Sequence, residues 1–81
     1  MTGKETQSMA NLRKDFANRL RFVREMRELT QFDLGKRVHL DQTHIAHFEA
    51  ARRLPDAENL KALCKGLMVS ADYLLGLSER V

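Results

Sequence analysis

Between Leu12 and Gly76 the apolar residues recur at helical spacing and not in the alternation of a β-strand. Leu12, Phe16, Leu20 and Val23 follow the i, i+4, i+8, i+11 rule of a buried stripe, which predicts a first helix from Leu12 or Asp15 to Arg27. Phe22 falls off that stripe, and Met26 stands four residues further along beside it. Thr30 then reads as the N-cap of a shorter helix in which Leu34 and Val38 share one face and Phe32 adds apolar surface. Asp41 reads as the cap of a third helix that turns Ile45 and Phe48 inward. Gln42, Thr43, Ala46, His47 and Ala50 are left at its front end and on its outward face. Proline disfavours helix at Leu54, so Ala50 to Pro55 is a loop. Asp56 caps a fourth helix carrying Leu60, Leu63, Cys64 and Leu67, and Ser70 caps a last one anchored by Leu74 and closed by Gly76. The pattern predicts an all-α chain of five helices. Residues 1–11, with no apolar periodicity, are expected to be a flexible arm, 12–77 the folded domain and 78–81 a tail.

Composition narrows the class. Eighty-one residues make one small domain, and 43% hydrophobic with 31% charged residues is ordinary for a soluble globular chain. No apolar run approaches the roughly 20 residues a membrane span needs, so no membrane partner is expected. A single cysteine cannot staple the fold, which fits a reducing cytoplasm. The net charge of +3 is unevenly placed. Residues 13–27 carry six arginines and lysines against two acids, for +4; residues 28–55 sum to zero and residues 56–81 to −1. A basic first half is expected to turn the molecule towards a polyanion.

Candidate catalytic chemistry is thin. His39, His44 and His47 form the one cluster of metal-ligating type, with His44 and His47 three apart. A zinc site needs a third or fourth ligand, and Cys64 falls on the buried face of another helix, where it reads as a small core residue. No glycine-rich phosphate loop and no nucleophile–base pairing is present. The sequence therefore leads us to expect no enzyme, no catalytic residue, no metal and no cofactor.

A short helix with a polar outer face, backed by another helix, has the shape that enters a DNA major groove. The chain resembles the phage-repressor and Cro-like helix-turn-helix family from about Phe16 to Gly76. The pieces are Arg19-Leu20-Arg21 and Arg24; Leu29-Thr30-Gln31 and Leu34; Ile45 and Glu49; Arg53-Leu54-Pro55; Leu60 and Leu63; Leu67, Val69 and Ser70; and Asp72-Tyr73-Leu74-Leu75-Gly76. Each piece is weak alone, and their order and spacing carry the likeness.

The resemblance implies a compact, five-helix, lambda-repressor-like domain that binds double-stranded DNA through its third helix, residues 41–50. The expected function is that of a transcriptional repressor acting as a homodimer on a palindromic operator. Gln42, Thr43 and His47 match base-reading positions, and the Gln42 amide suits N6 and N7 of adenine. Gln31 matches a glutamine that bonds a phosphate and can buttress position 42. His44, Arg52 and Arg53 match backbone-gripping positions, which orient without reading sequence. Arg24 and Glu49 match a salt bridge between the first and third helices, needed because a half-buried carboxylate would otherwise cost several kcal/mol. The alternative on the same fold is an antitoxin or other partner-regulated module, docking a protein through Phe22, Met26 or the C-terminal Leu74, Leu77 and Val81.

The departures from the family are informative too. Glu28, His39, Ala51 and Met68 stand where the family often has glycine, and Gly35 and Gly66 where it usually has alanine. Left-handed backbone at the first four, and glycine inside helices at the other two, would each cost about 1 kcal/mol. At Gly35 the small residue fits close packing of the second helix on the third. Modest stability is the expectation.

Overall fold

A computed structural model describes the backbone of residues 2–81 and the side chains of residues 8–81. Five helices follow in order: α1 Thr2–Met26, α2 Gln31–Val38, α3 Gln42–Glu49, α4 Ala57–Leu67 and α5 Ala71–Leu74. Among the described residues there is no strand. None of the helices is long and apolar enough to cross a membrane.

The apolar stripe read from the sequence forms one core. Phe16, Leu20 and Val23 of α1 meet Leu34 and Val38 of α2, Ile45 and Phe48 of α3, Leu63 and Leu67 of α4, and Leu74 of α5. Phe16 and Phe48 pack edge to face, with ring centroids 6.3 Å apart. Leu74 is fully buried, which removes it from the surface expected to meet a partner, because this four-residue helix docks by that side chain. Phe22, Met26 and Leu77 stay exposed.

Both ends carry more structure than the apolar pattern shows. α1 begins at Thr2, before the start expected at Leu12 or Asp15, so the backbone of residues 2–11 is helical; Met1 lies outside the described residues. Lys4, Glu5, Gln7, Met9 and Ala10 are good helix formers, and no proline stops the helix from propagating backwards from the packed part of α1. At the other end, Ser78 and Glu79 are not a loose tail. The Arg19 guanidinium donates to the carbonyls of Tyr73 (3.1 Å) and Ser78 (3.0 Å) and to the Glu79 carboxylate (2.8 Å), while lying over the Tyr73 ring.

The N-caps expected at the other four helices form with one exception. The Thr30 hydroxyl accepts the Asp33 N–H and the Asp33 carboxylate accepts the Thr30 N–H, both at 3.0 Å, closing a capping box. These bonds from Thr30 hold the Asp33 carboxyl below its ordinary pKa. Their stabilisation is present above the ordinary carboxylate value and is lost as pH falls through the lowered one. Asp56 and Ser70 cap as expected, accepting the N–H groups of Asn59 and Tyr73. Asp41 is the exception. It holds the N-cap position of α3 with no side-chain cap bond, and its backbone carbonyl alone accepts from His44 and Ile45.

Helix ends share one solution. After every helix a residue takes left-handed backbone, and the next N–H reaches back five residues to a free carbonyl. These bonds are Leu29 to Arg24, Leu40 to Gly35, Arg52 to His47, Val69 to Cys64 and Leu77 to Asp72, at 2.8–3.1 Å. The left-handed residues are Glu28, His39, Ala51, Met68 and Gly76, so the four positions suspected from their missing glycines carry positive φ. His39, at φ 61°, turns the chain between α2 and α3.

Gly35 is required by that turn. A Cβ there would lie 2.5 Å from the Leu40 carbonyl oxygen, a backbone atom with little freedom to retreat. The constraint comes from the turn between α2 and α3 more than from the helices' side chains. At Gly66 a Cβ would meet a Val38 methyl at 2.5 Å, which explains the second helical glycine by the approach of α4 to α2.

Opposite effects are expected at the two ends of this turn. His39→Gly should raise unfolding free energy by about 1 kcal/mol by relieving the left-handed penalty. Gly35→Ala should lower it by about 1–3 kcal/mol by overpacking. Urea denaturation followed by circular dichroism measures both, and a Gly35→Ala protein as stable as the parent would contradict the close approach.

Candidate nucleic-acid interface

α3 is eight residues long, too short to be stable alone, so its placement depends on what its back and its ends touch. Ile45 and Phe48 fix the back by burial. The C-terminal end is fixed by charge. Glu49, the last residue of α3, is 5% exposed and points its carboxylate into the protein. That position is unfavourable for an anion twice over, being desolvated and at the negative end of a helix.

The compensation comes from all of the neighbouring helices. Arg24 of α1 grips the carboxylate side-on through one edge of its guanidinium, Nε donating to Oε2 at 2.6 Å and Nη2 to Oε1 at 3.0 Å. Its remaining nitrogen, Nη1, donates to the Leu29 carbonyl at 2.6 Å. Gln31, which opens α2, donates its amide to Glu49 Oε1 at 3.2 Å. Arg21 adds an ion pair at 3.5 Å and donates to the Glu49 backbone carbonyl. The bond to Glu49 raises the Arg24 guanidinium above its already high ordinary pKa, so the positive partner never titrates away.

This cluster contains the Arg24–Glu49 pair expected from the sequence and two residues that sequence reasoning did not place there. Arg21 is three residues from Arg24 and thus on the same side of α1, a signal available in the spacing. Gln31 was expected to face a phosphate and position 42, but one of its amide N–H groups is committed to Glu49.

The other expected residues surround this support. Gln42 and Thr43 stand exposed at the start of α3, and among the described residues neither side chain has a hydrogen-bond partner. His47 lies one turn on, half-buried, and its Nδ1 is 3.5 Å from Nη1 of Arg52. His44 is half-buried on the flank, and its Nδ1 is enclosed with no hydrogen-bond partner. Arg52 and Arg53 are exposed in the loop after α3. Gln42, Thr43, His47 and the two arginines therefore lie along one end-to-end run of α3 and its following loop.

The basic first half contributes less free charge than its sum suggests. Arg19 clamps the C-terminal residues, Arg24 is spent on Glu49, and Arg27 donates to the carbonyls of Leu67 and Met68 at the end of α4. Arg37 likewise donates to Gly66. Cations at a helix C-terminus offset its partial negative charge. Much of the basic character is structural.

An apolar-backed helix with a polar outer face, joined to its predecessor by a three-residue turn that opens on left-handed His39, defines a helix-turn-helix protein. The chain belongs to the helix-turn-helix domain family, whose model matches residues 17–79, and within it to the phage-repressor and Cro-like type. It is 40% identical over 57 residues to the Repressor protein C2 of Salmonella phage P22, a match covering 70% of this chain and 26% of that protein. It is 30% identical over 67 residues to the HTH-type transcriptional activator BcrR of Enterococcus faecalis, covering 83% of this chain and 33% of that one. An uncharacterized HTH-type transcriptional regulator of Bacillus subtilis, YobD, is 30% identical over 64 residues, covering 79% of this chain and 57% of the relative. The chain thus spans between about a quarter and somewhat over half of the length of these relatives.

Among solved structures, the fold is similar to the P22 c2 repressor in complex with a synthetic operator. The TM-score is 0.74 at 36% identity, over 78% of this chain and 96% of that one. A hypothetical transcription factor from Neisseria gives a TM-score of 0.75 at 28% identity, over 79% of this chain and 74% of that one.

The cluster around Glu49 makes an asymmetric expectation. Arg24→Met should destabilise the domain by about 3–5 kcal/mol, because it strands a buried carboxylate. Arg24→Met combined with Glu49→Leu should recover much of that loss. Equilibrium unfolding of the parent, the single and the double variant measures it; equal losses in single and double variants would show that the charge pairing is not what matters.

Proposed function

We propose that this chain is the DNA-binding domain of a transcriptional repressor that reads a palindromic operator as a homodimer in the cytoplasm. The observation that carries the reading is the combination of an exposed, unbonded Gln42–Thr43 front on α3 with a carboxylate brace that fixes α3 from behind. Side chains held ready with no partner in the protein are suited to a partner outside it. Likeness to a repressor whose structure is described in complex with operator DNA supports the same conclusion.

In this mechanism α3 lies in the major groove with its N-terminal end towards the bases. Gln42 pairs its amide with adenine N6 and N7, and Thr43 offers a hydroxyl and a methyl to neighbouring base edges. His47 reads one turn further along. Arg52 and Arg53 neutralise phosphates from the loop, His44 does so from the helix flank, and the second amide N–H of Gln31 is free to do so from the start of α2. Two copies place their reading helices about 34 Å apart, in successive grooves on one face of the duplex. A promoter occupied in this way is closed to polymerase.

Selection of bound sequences from a random duplex pool tests the reading. The expected product is an inverted repeat with half-site centres one helical turn apart. Against the selected site, Gln42→Ala should relax sequence preference, whereas Arg53→Ala should weaken binding to selected and random duplexes alike. Affinity of the parent should fall steeply as salt rises. Failure to enrich any sequence, or equal losses on all duplexes from both variants, contradicts the assignment.

A further inference from the structure

We propose that Arg52 fixes the tautomer of His47, making its imidazole a hydrogen-bond donor at Nε2 that favours guanine over cytosine. This inference rests on the reading of α3 as a major-groove helix and names what one of its side chains recognises.

The juxtaposition of the two residues is enforced by the backbone. Ala51 takes left-handed backbone at φ 60°, and this folds the chain so that the Arg52 N–H donates to the His47 carbonyl at 3.0 Å. With the main chains locked, the Arg52 side chain returns along α3 and sets Nη1 3.5 Å from His47 Nδ1. A guanidinium has five donors and no acceptor. It can meet Nδ1 favourably only when that nitrogen carries its lone pair, so the ring proton is placed on Nε2. The opposite tautomer would set N–H against N–H.

His44 reinforces the pattern on the same helix. Its Nδ1 is enclosed without a partner. No acceptor lies within reach of that nitrogen, whereas Nε2 is not enclosed in this way, so the proton of the neutral ring is better satisfied on Nε2. Both imidazoles then present Nε2–H, the nitrogen farther from the backbone. For His44 that donor meets a phosphate, which only accepts. For His47 it meets a base edge.

The consequence is a specific preference. In the major groove guanine offers two adjacent acceptors, N7 and O6, whereas cytosine offers a donor at N4. A fixed N–H donor bonds the first and repels the second. A histidine free to exchange tautomers would accept either, and Arg52 converts that tolerance into a choice. Arg52 is a positioning residue here: its effect on base choice passes through His47.

Long-range proton–nitrogen spectra of the free protein at about pH 8, above the ordinary range of imidazole, read the tautomer directly. The parent should show His47 in the Nε2–H form alone. Arg52→Ala should introduce a detectable Nδ1–H population, and Arg52→Glu, which offers an acceptor to Nδ1, should make Nδ1–H the main form. In duplex selection the parent should prefer guanine over cytosine at one position of each half-site by about tenfold. Arg52→Ala should flatten that position while leaving the others as they were, which a lost phosphate contact would not do. His47 unchanged in tautomer across all three proteins overturns the proposal, as does a guanine preference that survives in Arg52→Ala. The spectra need no DNA, so a chain that bound no duplex would sink the DNA-binding assignment and leave the tautomer question answered on its own.

Discussion

Glu49 poses the problem that the rest of the molecule solves. A carboxylate whose side chain is almost wholly enclosed, at the negative end of a short helix, has no water to fall back on. Its oxygens must be met by protein, and the groups that meet them come from α1 and α2, through Arg24, Arg21 and Gln31. One buried anion thereby ties three helices together at a single point. An apolar residue would fill the space as well, but it would supply no directional bond at this end of α3 beyond the packing of Ile45 and Phe48. A bidentate guanidinium fixes both distance and angle. For the proposed role of α3, in which its outward side chains register with base edges, that angular definition is worth more than the small net stability of a buried pair.

The same economy governs the chain reversals. Five helices in so short a chain require tight ends, and each is closed by a left-handed residue followed by a bond back across five residues. Only the last of these residues is glycine. The strain at Glu28, His39, Ala51 and Met68 is tolerated because the following residues are held by packing or by hydrogen bonds on both sides. At Ala51 the closure has a second effect, since it delivers Arg52 to His47. One turn thus serves both the helix end and the side-chain contact of Arg52 with His47.

Much of this was legible in the sequence because it depends on local rules. Helical spacing placed the core residues, Thr30, Asp56 and Ser70 announced three helix starts, and Gly76 announced an end. The left-handed positions were visible as glycines that were missing. What the sequence hid depends on distant partners. Nothing near Gln31 shows that its amide will turn towards Glu49, and nothing near Arg19 shows that it will seize the carbonyls of Tyr73 and Ser78. Leu74 reads equally well as an anchor or as a docking residue until α5 is set against α1. The charge sum over residues 13–27 does not show which arginines are held by distant partners within the fold, as Arg19, Arg24 and Arg27 are. Residues 2–11 lack an apolar stripe and so gave no periodic signal, yet a helix already nucleated by the core can extend through them on propensity.

The account holds that α3, braced through Glu49, is the surface that meets DNA while the brace itself stays intact. Titration of nitrogen-15-labelled protein with its selected duplex, followed by amide and arginine Nε–H shifts, tests this most directly. The largest amide changes are expected at Gln31, Gln42 to His47, Arg52 and Arg53, with the Arg24 Nε–H still showing its bonded signal in the complex. Changes centred on Phe22, Met26 and Leu77, with α3 undisturbed, would contradict it.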